Sequence, residues 1–110
     1  MKIHTQNISG DGIKLSFEVE GTIIARAYLY LLHNDLHTAP FGFLEDLFVD
    51  EAQRGKGYGK QMLQLVIDEA KNAGCYKLMC TSRYKKELVH SMYAKAGFKD
   101  HGKEFRLDFV

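Results

Sequence analysis

Arg54, Lys56 and Lys60 alternate with Gly55, Gly57 and Gly59 in the stretch RGKGYGK, which follows the acidic run LEDLFVDE and precedes residues with helical spacing. Cations and glycines at the start of a helix suit an anion. The first helical N–H groups have no intrahelical partner, the helix dipole favours negative charge there, and glycines admit close backbone approach. Phosphate is the expected guest, but two common phosphate motifs do not fit. A Walker A loop needs glycine five positions before its Gly-Lys pair and Ser or Thr after it. Gly59-Lys60 has Arg54 and Gln61 at those places. A dinucleotide fingerprint starting at Gly55 would need glycine where Lys60 stands, and one starting at Gly57 would need it where Met62 stands.

Other chemistry-bearing groups are sparser. Cys75 and Cys80 are five apart with no second pair, a poor zinc pattern, and they read as two unbridged thiols. His33, Asp35 and His37 have metal-like spacing but lack the Glu of HExxH, so no metal is assigned. No Ser-His-Asp or Cys-His constellation is legible. A formal net charge of +1 gives no reason to expect a nucleic-acid partner, so any basic patch must be local, as in the Arg54 to Lys60 loop. The N-terminal residues MKIHTQNIS lack an apolar leader and no apolar run reaches membrane-spanning length, so a cytoplasmic protein with no membrane partner is expected.

Positioning these groups falls to a mixed set of elements. Ile13, Leu15, Phe17 and Val19 alternate with polar residues as a half-buried strand, and Glu20-Gly21 turns into a second strand from Thr22 to Leu32. A third strand, Phe43 to Val49, is expected to show Phe43, Glu45, Leu47 and Val49 on one face and Leu44, Asp46 and Phe48 on the other. After the glycine loop, Met62, Leu63, Val66, Ile67, Ala70 and Ala73 form a helical stripe closed by Gly74. YKLMCT reads as a short strand. Leu88, Val89, Met92, Tyr93 and Ala96 form a second stripe closed by Gly97. Phe105, Leu107 and Phe109 alternate as a last strand, and KIHTQNIS is expected to add an edge strand at the start. The order β-β-β-β-α-β-α-β implies an α/β fold of the mixed α+β kind, a central twisted sheet with two helices. The strands flanking the first helix should be parallel neighbours joined by a right-handed crossover.

The run LEDLFVDEAQRGKGYGKQMLQ resembles the acetyl-CoA pyrophosphate-binding motif of the GNAT-type acyl-CoA N-acyltransferases. YAKAGF, Tyr93 to Phe98, resembles that family's second signature, at the usual separation from the first. The resemblance covers roughly residues 13 to 109 and implies a single N-acetyltransferase domain over 1–110. It implies that the N–H groups of Gly55, Lys56, Gly57, Tyr58, Gly59 and Lys60 wrap the pyrophosphate, with Arg54 supplying charge. The pantetheine arm would run beside Leu47, Phe48 and Val49 as a pseudo-strand, in a wedge where this strand splays from YKLMCT. An extended amide chain is read by backbone donors and acceptors, so side-chain identity there is loose. Lys86 or Lys85 could contact a cofactor phosphate.

The activity implied is direct transfer of an acetyl group from the CoA thioester to a primary amine. The amine must lose a proton, the oxyanion must be stabilised and the thiolate must be protonated. Glu45 is the candidate base, with Asp46 the weaker alternative. Tyr93 is the candidate acid, because a phenol's ordinary pKa of about 10 lies near a thiol's of about 8.5. The N–H of Leu47 or Phe48 is the expected oxyanion donor, and His90 is a supporting neighbour of Tyr93. The family usually places two helices between its first and second strands, where only Ser9 to Gly12 stands here. The acceptor site is then either open, suiting a peptide or protein amine, or completed by a second subunit of a homodimer, suiting a small amine. GCYKL and LEDLFV resemble glucosamine-6-phosphate N-acetyltransferases without settling the acceptor. The alternative function is a non-catalytic CoA-binding or protein-interaction module.

Overall fold

A computed structural model describes residues 1–110. Its contacts gather into two compact units, Met1–Cys80 and Thr81–Val110, each described by itself. In the first unit, strand β1 (Asp11–Val19) and strand β2 (Thr22–Leu32) form an antiparallel hairpin. Glu20 and Gly21 both have positive φ, 50° and 80°, as a two-residue turn matched to strand twist requires. Strand β3 (Phe41–Val49) pairs antiparallel with β2, and strand β4 (Leu78–Cys80) pairs parallel with β3, in the order β1-β2-β3-β4. Helix α1 (Tyr58–Asn72) makes the crossover between those parallel neighbours, as its pattern implied.

The core is one layer of contact between α1 and the sheet. Met62, Leu63, Val66 and Ala70 are buried from the helix, and Ala25, Ala27, Leu29 and Leu44 from β2 and β3. Small residues at 25 and 27 leave room for the helix, while Leu29 and Leu44, opposed in the ladder, fill the space beyond. Ala73, expected in the stripe, is the exposed C-cap of α1.

The pairing of β2 with β3 departs from regular alternation. Arg26 stands opposite Phe48 and Tyr28 opposite Glu45, so Asp46 and Leu47 together face the single residue Ala27. This is a β-bulge, and one extra residue reverses the parity of everything after it. Directly opposed residues share a face. Glu45 therefore lies with Tyr28, and Phe48 with Arg26, on the face away from the core residues Ala27 and Leu29. Val49 lies opposite the core residue Ala25. The expected grouping of Glu45 with Val49, and of Phe48 with Leu44, is corrected accordingly.

Two expected strands are not formed. Residues 1–10 are irregular and exposed, with Ile3 and Ile8 out in solvent. This polar segment buries too little apolar surface to offset the entropy of ordering it. In the second unit, Phe105, Leu107 and Phe109 alternate but are irregular and exposed. Alternation supplies two faces, whereas a strand also needs a neighbour for its N–H and C=O groups, and that unit contains no other strand.

The second unit is organised by helix α2 (Glu87–Lys95), which ends in a tight hydrogen-bonded reversal. Gly97 takes φ 103°, its N–H donates to the Ala94 carbonyl, and the Phe98 N–H donates to the Tyr93 carbonyl at 3.0 Å. This Schellman pattern brings the Phe98 ring back to within 5.4 Å of the Tyr93 ring. The Tyr93–Phe98 spacing thus has a local cause. Helix α1 ends the same way, with the Gly74 N–H donating to Lys71 and the Cys75 N–H to Ala70. Leu88, expected on the apolar stripe of α2, is instead 89% exposed. No helix is long and apolar enough to cross a membrane.

The contrast between Leu29 and Leu88 is measurable. Leu29 has no exposed surface, so Leu29→Ala should lose about 2–5 kcal/mol by transfer and cavity terms. Leu88→Ala should stay within about 0.5 kcal/mol of wild type. Urea denaturation of the two variants checks this, and equal midpoints would place Leu29 outside the core.

Candidate functional site

The expected site residues of the first unit lie on one continuous run of chain. β3 enters it, a single 3-10 turn (Glu51–Gln53) follows, the glycine loop comes next and α1 leaves it. The ladder between β3 and β4 covers only Gly42 to Leu44, ending at Leu44 opposite Cys80. β3 then continues through Glu45, Asp46, Leu47, Phe48 and Val49 with β2 as its sheet neighbour. Its other edge has outrun its partner. An unpaired strand edge is a template for another extended chain.

At the end of that strand the backbone turns towards an anion-ready helix start. Gly57 is the N-cap of α1 at φ 84°, in the left-handed region, and Gly55 has φ 82°. A Cβ built at either position would meet nothing within 4 Å, so conformation rather than crowding selects glycine here. No side chain caps the helix. The Gln61 N–H donates to the Gly57 carbonyl at 3.0 Å, which leaves the N–H groups of Tyr58, Gly59 and Lys60 in the first turn without intrahelical acceptors.

The cations around the loop differ in their engagement. Arg54 folds back on the strand: its Nε donates to the Val49 carbonyl at 3.0 Å and its guanidinium lies 5.5 Å from the centre of the Phe48 ring. Lys56 Nζ donates to the Gln53 Oε1 at 2.9 Å, within the loop. Lys60 is exposed on the first turn of α1. The Tyr58 ring contacts that of Phe17 on β1, tying the helix start to the sheet.

Arg26 is a participant that sequence reasoning missed. Its Nε donates to Asp46 Oδ2 at 2.8 Å, and its guanidinium stacks over Phe48 with 4.6 Å to the ring centre. The hydrogen bond that Arg26 donates to Asp46 Oδ2 raises the Arg26 pKa above its ordinary value. Asp46, the weaker base candidate, is therefore committed to an ion pair. Its φ of 57° is also left-handed, a conformation that aspartate tolerates better than most residues. The sequence held one cue, an Asp in mid-strand; the cross-strand register that brings Arg26 to it had none. Glu45 is exposed and stands opposite Tyr28.

The remaining expected residues belong to the second unit. Tyr93 is half-buried on α2 beside Phe98. Lys86 is exposed at the N-cap of α2, and its N–H donates to the Arg83 carbonyl. His90 lies on the same helix, with Nε2 3.1 Å from the Ser82 hydroxyl, a partner that the sequence did not reveal. Outside these groups, the His37 ring stacks on Tyr76 at 3.9 Å. Neither Cys75 nor Cys80 is in a disulfide, and partial burial pushes the Cys75 thiol pKa up.

Comparison with known proteins converges on one family. A model of the Acetyltransferase (GNAT) family matches residues 4–98. The probable glucosamine 6-phosphate N-acetyltransferase 2 of Oryza sativa subsp. japonica is 33% identical over 93 residues, covering 82% of this chain and 53% of that protein. The aminoglycoside N(6')-acetyltransferase type 1 of Stenotrophomonas maltophilia is 29% identical over 89 residues, covering 78% of this chain and 58% of its own. Among solved structures, glucosamine-6-phosphate N-acetyltransferase from Arabidopsis thaliana superposes with a TM-score of 0.82 at 26% identity, covering 91% of this chain and 68% of that one. The chain spans about half the length of the curated relatives it matches.

Substitution at Gly57 separates conformation from charge. Gly57→Ala should cost about 1–2 kcal/mol for its left-handed backbone and still bind inorganic pyrophosphate, because the space is open. Gly57→Asp adds a carboxylate beside the free N–H groups and should lose that binding. Calorimetry on both variants, with circular dichroism as the folding control, checks this. Retained binding in Gly57→Asp would move the anion site elsewhere.

Proposed function

This chain belongs to the Acetyltransferase (GNAT) family, and on that premise we propose that it transfers an acetyl group from acetyl-CoA to a primary amine. One observation carries the reading: a strand whose edge outruns its neighbour leads, through one 3-10 turn and a glycine loop, into a glycine-capped helix start. CoA has the complementary shape, an extended amide-bearing arm joined to a pyrophosphate. The arm pairs with the edge beyond Leu44, along Leu47, Phe48 and Val49. The pyrophosphate takes the N–H groups from Gly55 to Lys60, with Lys56 and Lys60 adding charge. Arg54, held on the Val49 carbonyl, contributes its field and braces the strand end.

In the reaction, the amine nitrogen attacks the thioester carbonyl and a C–N bond forms. The oxyanion is stabilised by the N–H of Leu47 or Phe48. Collapse breaks the C–S bond and releases CoA as thiolate. Glu45, an exposed carboxylate two residues before that backbone, accepts the ammonium proton directly or through water. Tyr93 returns a proton to the thiolate, a role that rests on its place in the second signature. Lys86 offers charge to a phosphate of the cofactor.

The acceptor is proposed to be a small amine of the amino-sugar kind. The named relatives act on glucosamine 6-phosphate or aminoglycosides, both of which carry primary amines on sugar rings. A lysine-bearing peptide is the comparison substrate. A second copy of the chain is proposed to cover the sheet face carrying Tyr28 and Tyr30, of which Tyr30 is 37% exposed. Light scattering should then give twice the monomer mass, and a strict monomer at high concentration would favour an open acceptor groove.

The catalytic assignments have their own test. Acetyl-CoA should bind more tightly than ATP by calorimetry, since ATP lacks the arm. Release of free CoA, assayed across amines and peptides, identifies an acceptor. With that acceptor, Tyr93→Phe should keep acetyl-CoA affinity while turnover falls by about 10²–10⁴-fold. Glu45→Gln should depress the rate most at neutral pH and recover as pH rises, because the fraction of neutral amine increases. Normal kinetics from both variants would void the two roles and favour a binding module.

A further inference from the structure

The bulge at Asp46 calls for a function. Its backbone is left-handed at φ 57°, its residue type is not glycine, and it stands just beyond the point where β3 loses β4 as a partner. A conformation of this kind persists only where the surroundings hold it. Here the β2–β3 ladder holds the chain on either side of the bulge, and one side chain reaches the bulged residue itself. Arg26 reaches across from β2, binds the Asp46 carboxylate through Nε at 2.8 Å and lies over the Phe48 ring at 4.6 Å. One guanidinium thus grips both sides of Leu47. Arg54 approaches the same ring and ties the Val49 carbonyl, so the restraint runs on to the glycine loop.

We propose that the Arg26–Asp46 pair is a positioning clamp that fixes the orientation of the peptide groups of residues 46 to 48 along the open edge of β3. The proposal rests on the acetyl-CoA reading above. Both side chains of the pair are substantially exposed, 40% and 43%. Ion pairs in that environment contribute little to global stability. What the clamp contributes is direction. Without it the bulged residues can relax, and the N–H and C=O groups that an extended amide chain must meet lose their alignment. In this proposal the pair acts through the backbone it holds, so both are positioning residues rather than catalytic ones.

The test compares ligands that do and do not use the strand edge. Acetyl-CoA spans both the edge and the helix start, whereas ADP presents a pyrophosphate without the pantetheine arm. Calorimetry with each is run on wild type, Asp46→Gly, Arg26→Gln and Asp46→Asn. Glycine keeps the left-handed backbone accessible and removes the carboxylate. Asparagine tolerates that backbone and keeps an acceptor oxygen for Arg26. Asp46→Gly and Arg26→Gln should each weaken acetyl-CoA about tenfold, with ADP affinity and the thermal midpoint unchanged. Asp46→Asn should restore most of the acetyl-CoA affinity. If Arg26→Gln does not fold, the Gly and Asn variants at 46 carry the comparison.

Equal losses for both ligands would mean a general structural role and overturn the proposal. So would wild-type acetyl-CoA affinity in Asp46→Gly. Wild type that fails to bind acetyl-CoA at all would overturn the cofactor reading and the clamp with it. Wild type that binds, with indifferent variants, overturns the clamp alone.

Discussion

The packing of α1 against β2 and β3 is the constraint on which the first unit depends. Met62, Leu63 and Val66 are essentially without solvent exposure, and so are Ala27 and Leu29 beneath them. Removing this much apolar surface from water is the dominant favourable term available to a small unit. It also has a geometric consequence. With the helix pinned to the sheet by its second and third turns, its first turn cannot move independently of β3. The anion-ready N–H groups and the open strand edge are therefore held in a fixed relation by apolar contacts that touch neither.

Against that rigid background, the bulge acts as a local change of parity. A strand repeats every two residues, so one inserted residue exchanges the faces of all that follow. Val49 is delivered opposite the core residue Ala25, while Glu45 and Phe48 share the other face with Tyr28 and Arg26. In a regular strand, the residues at 45 and 48 would have pointed to opposite sides. The bulge brings an acidic residue and the Phe48 ring to one surface and leaves the helix-facing contacts intact on either side of it.

The second unit illustrates a different economy. Its helix buries none of its residues, and Leu88 stands in solvent. What is well defined there is local: the Gly97 reversal, the Phe98 N–H on the Tyr93 carbonyl, the two rings at 5.4 Å, and His90 on Ser82. Short-range hydrogen bonds of this sort specify the placement of Tyr93 on its own helix without a large core.

Much of this protein was legible from the order of its residues. The Glu20-Gly21 hairpin, α1 with its stripe, the glycine closures at 74 and 97 and the parallel neighbours flanking α1 all follow from short-range rules of periodicity and turn chemistry, while the family was legible through the resemblance of two short signatures. Those rules act within a few residues, so a linear reading captures them. The same reading expected strands at KIHTQNIS and, from alternation, at Phe105 to Phe109, since neither a following turn nor a pattern of faces records whether a hydrogen-bonding partner exists. It also missed the bulge and Arg26. The register between β2 and β3 sets Val49 opposite Ala25 and Leu44 opposite Leu29, and the partner of Asp46 lies twenty residues away in sequence. Only tertiary packing sets which residues stand opposite one another. The face of Glu45, the conformation of Asp46 and the direction of the strand edge beyond Leu44 were therefore decided there.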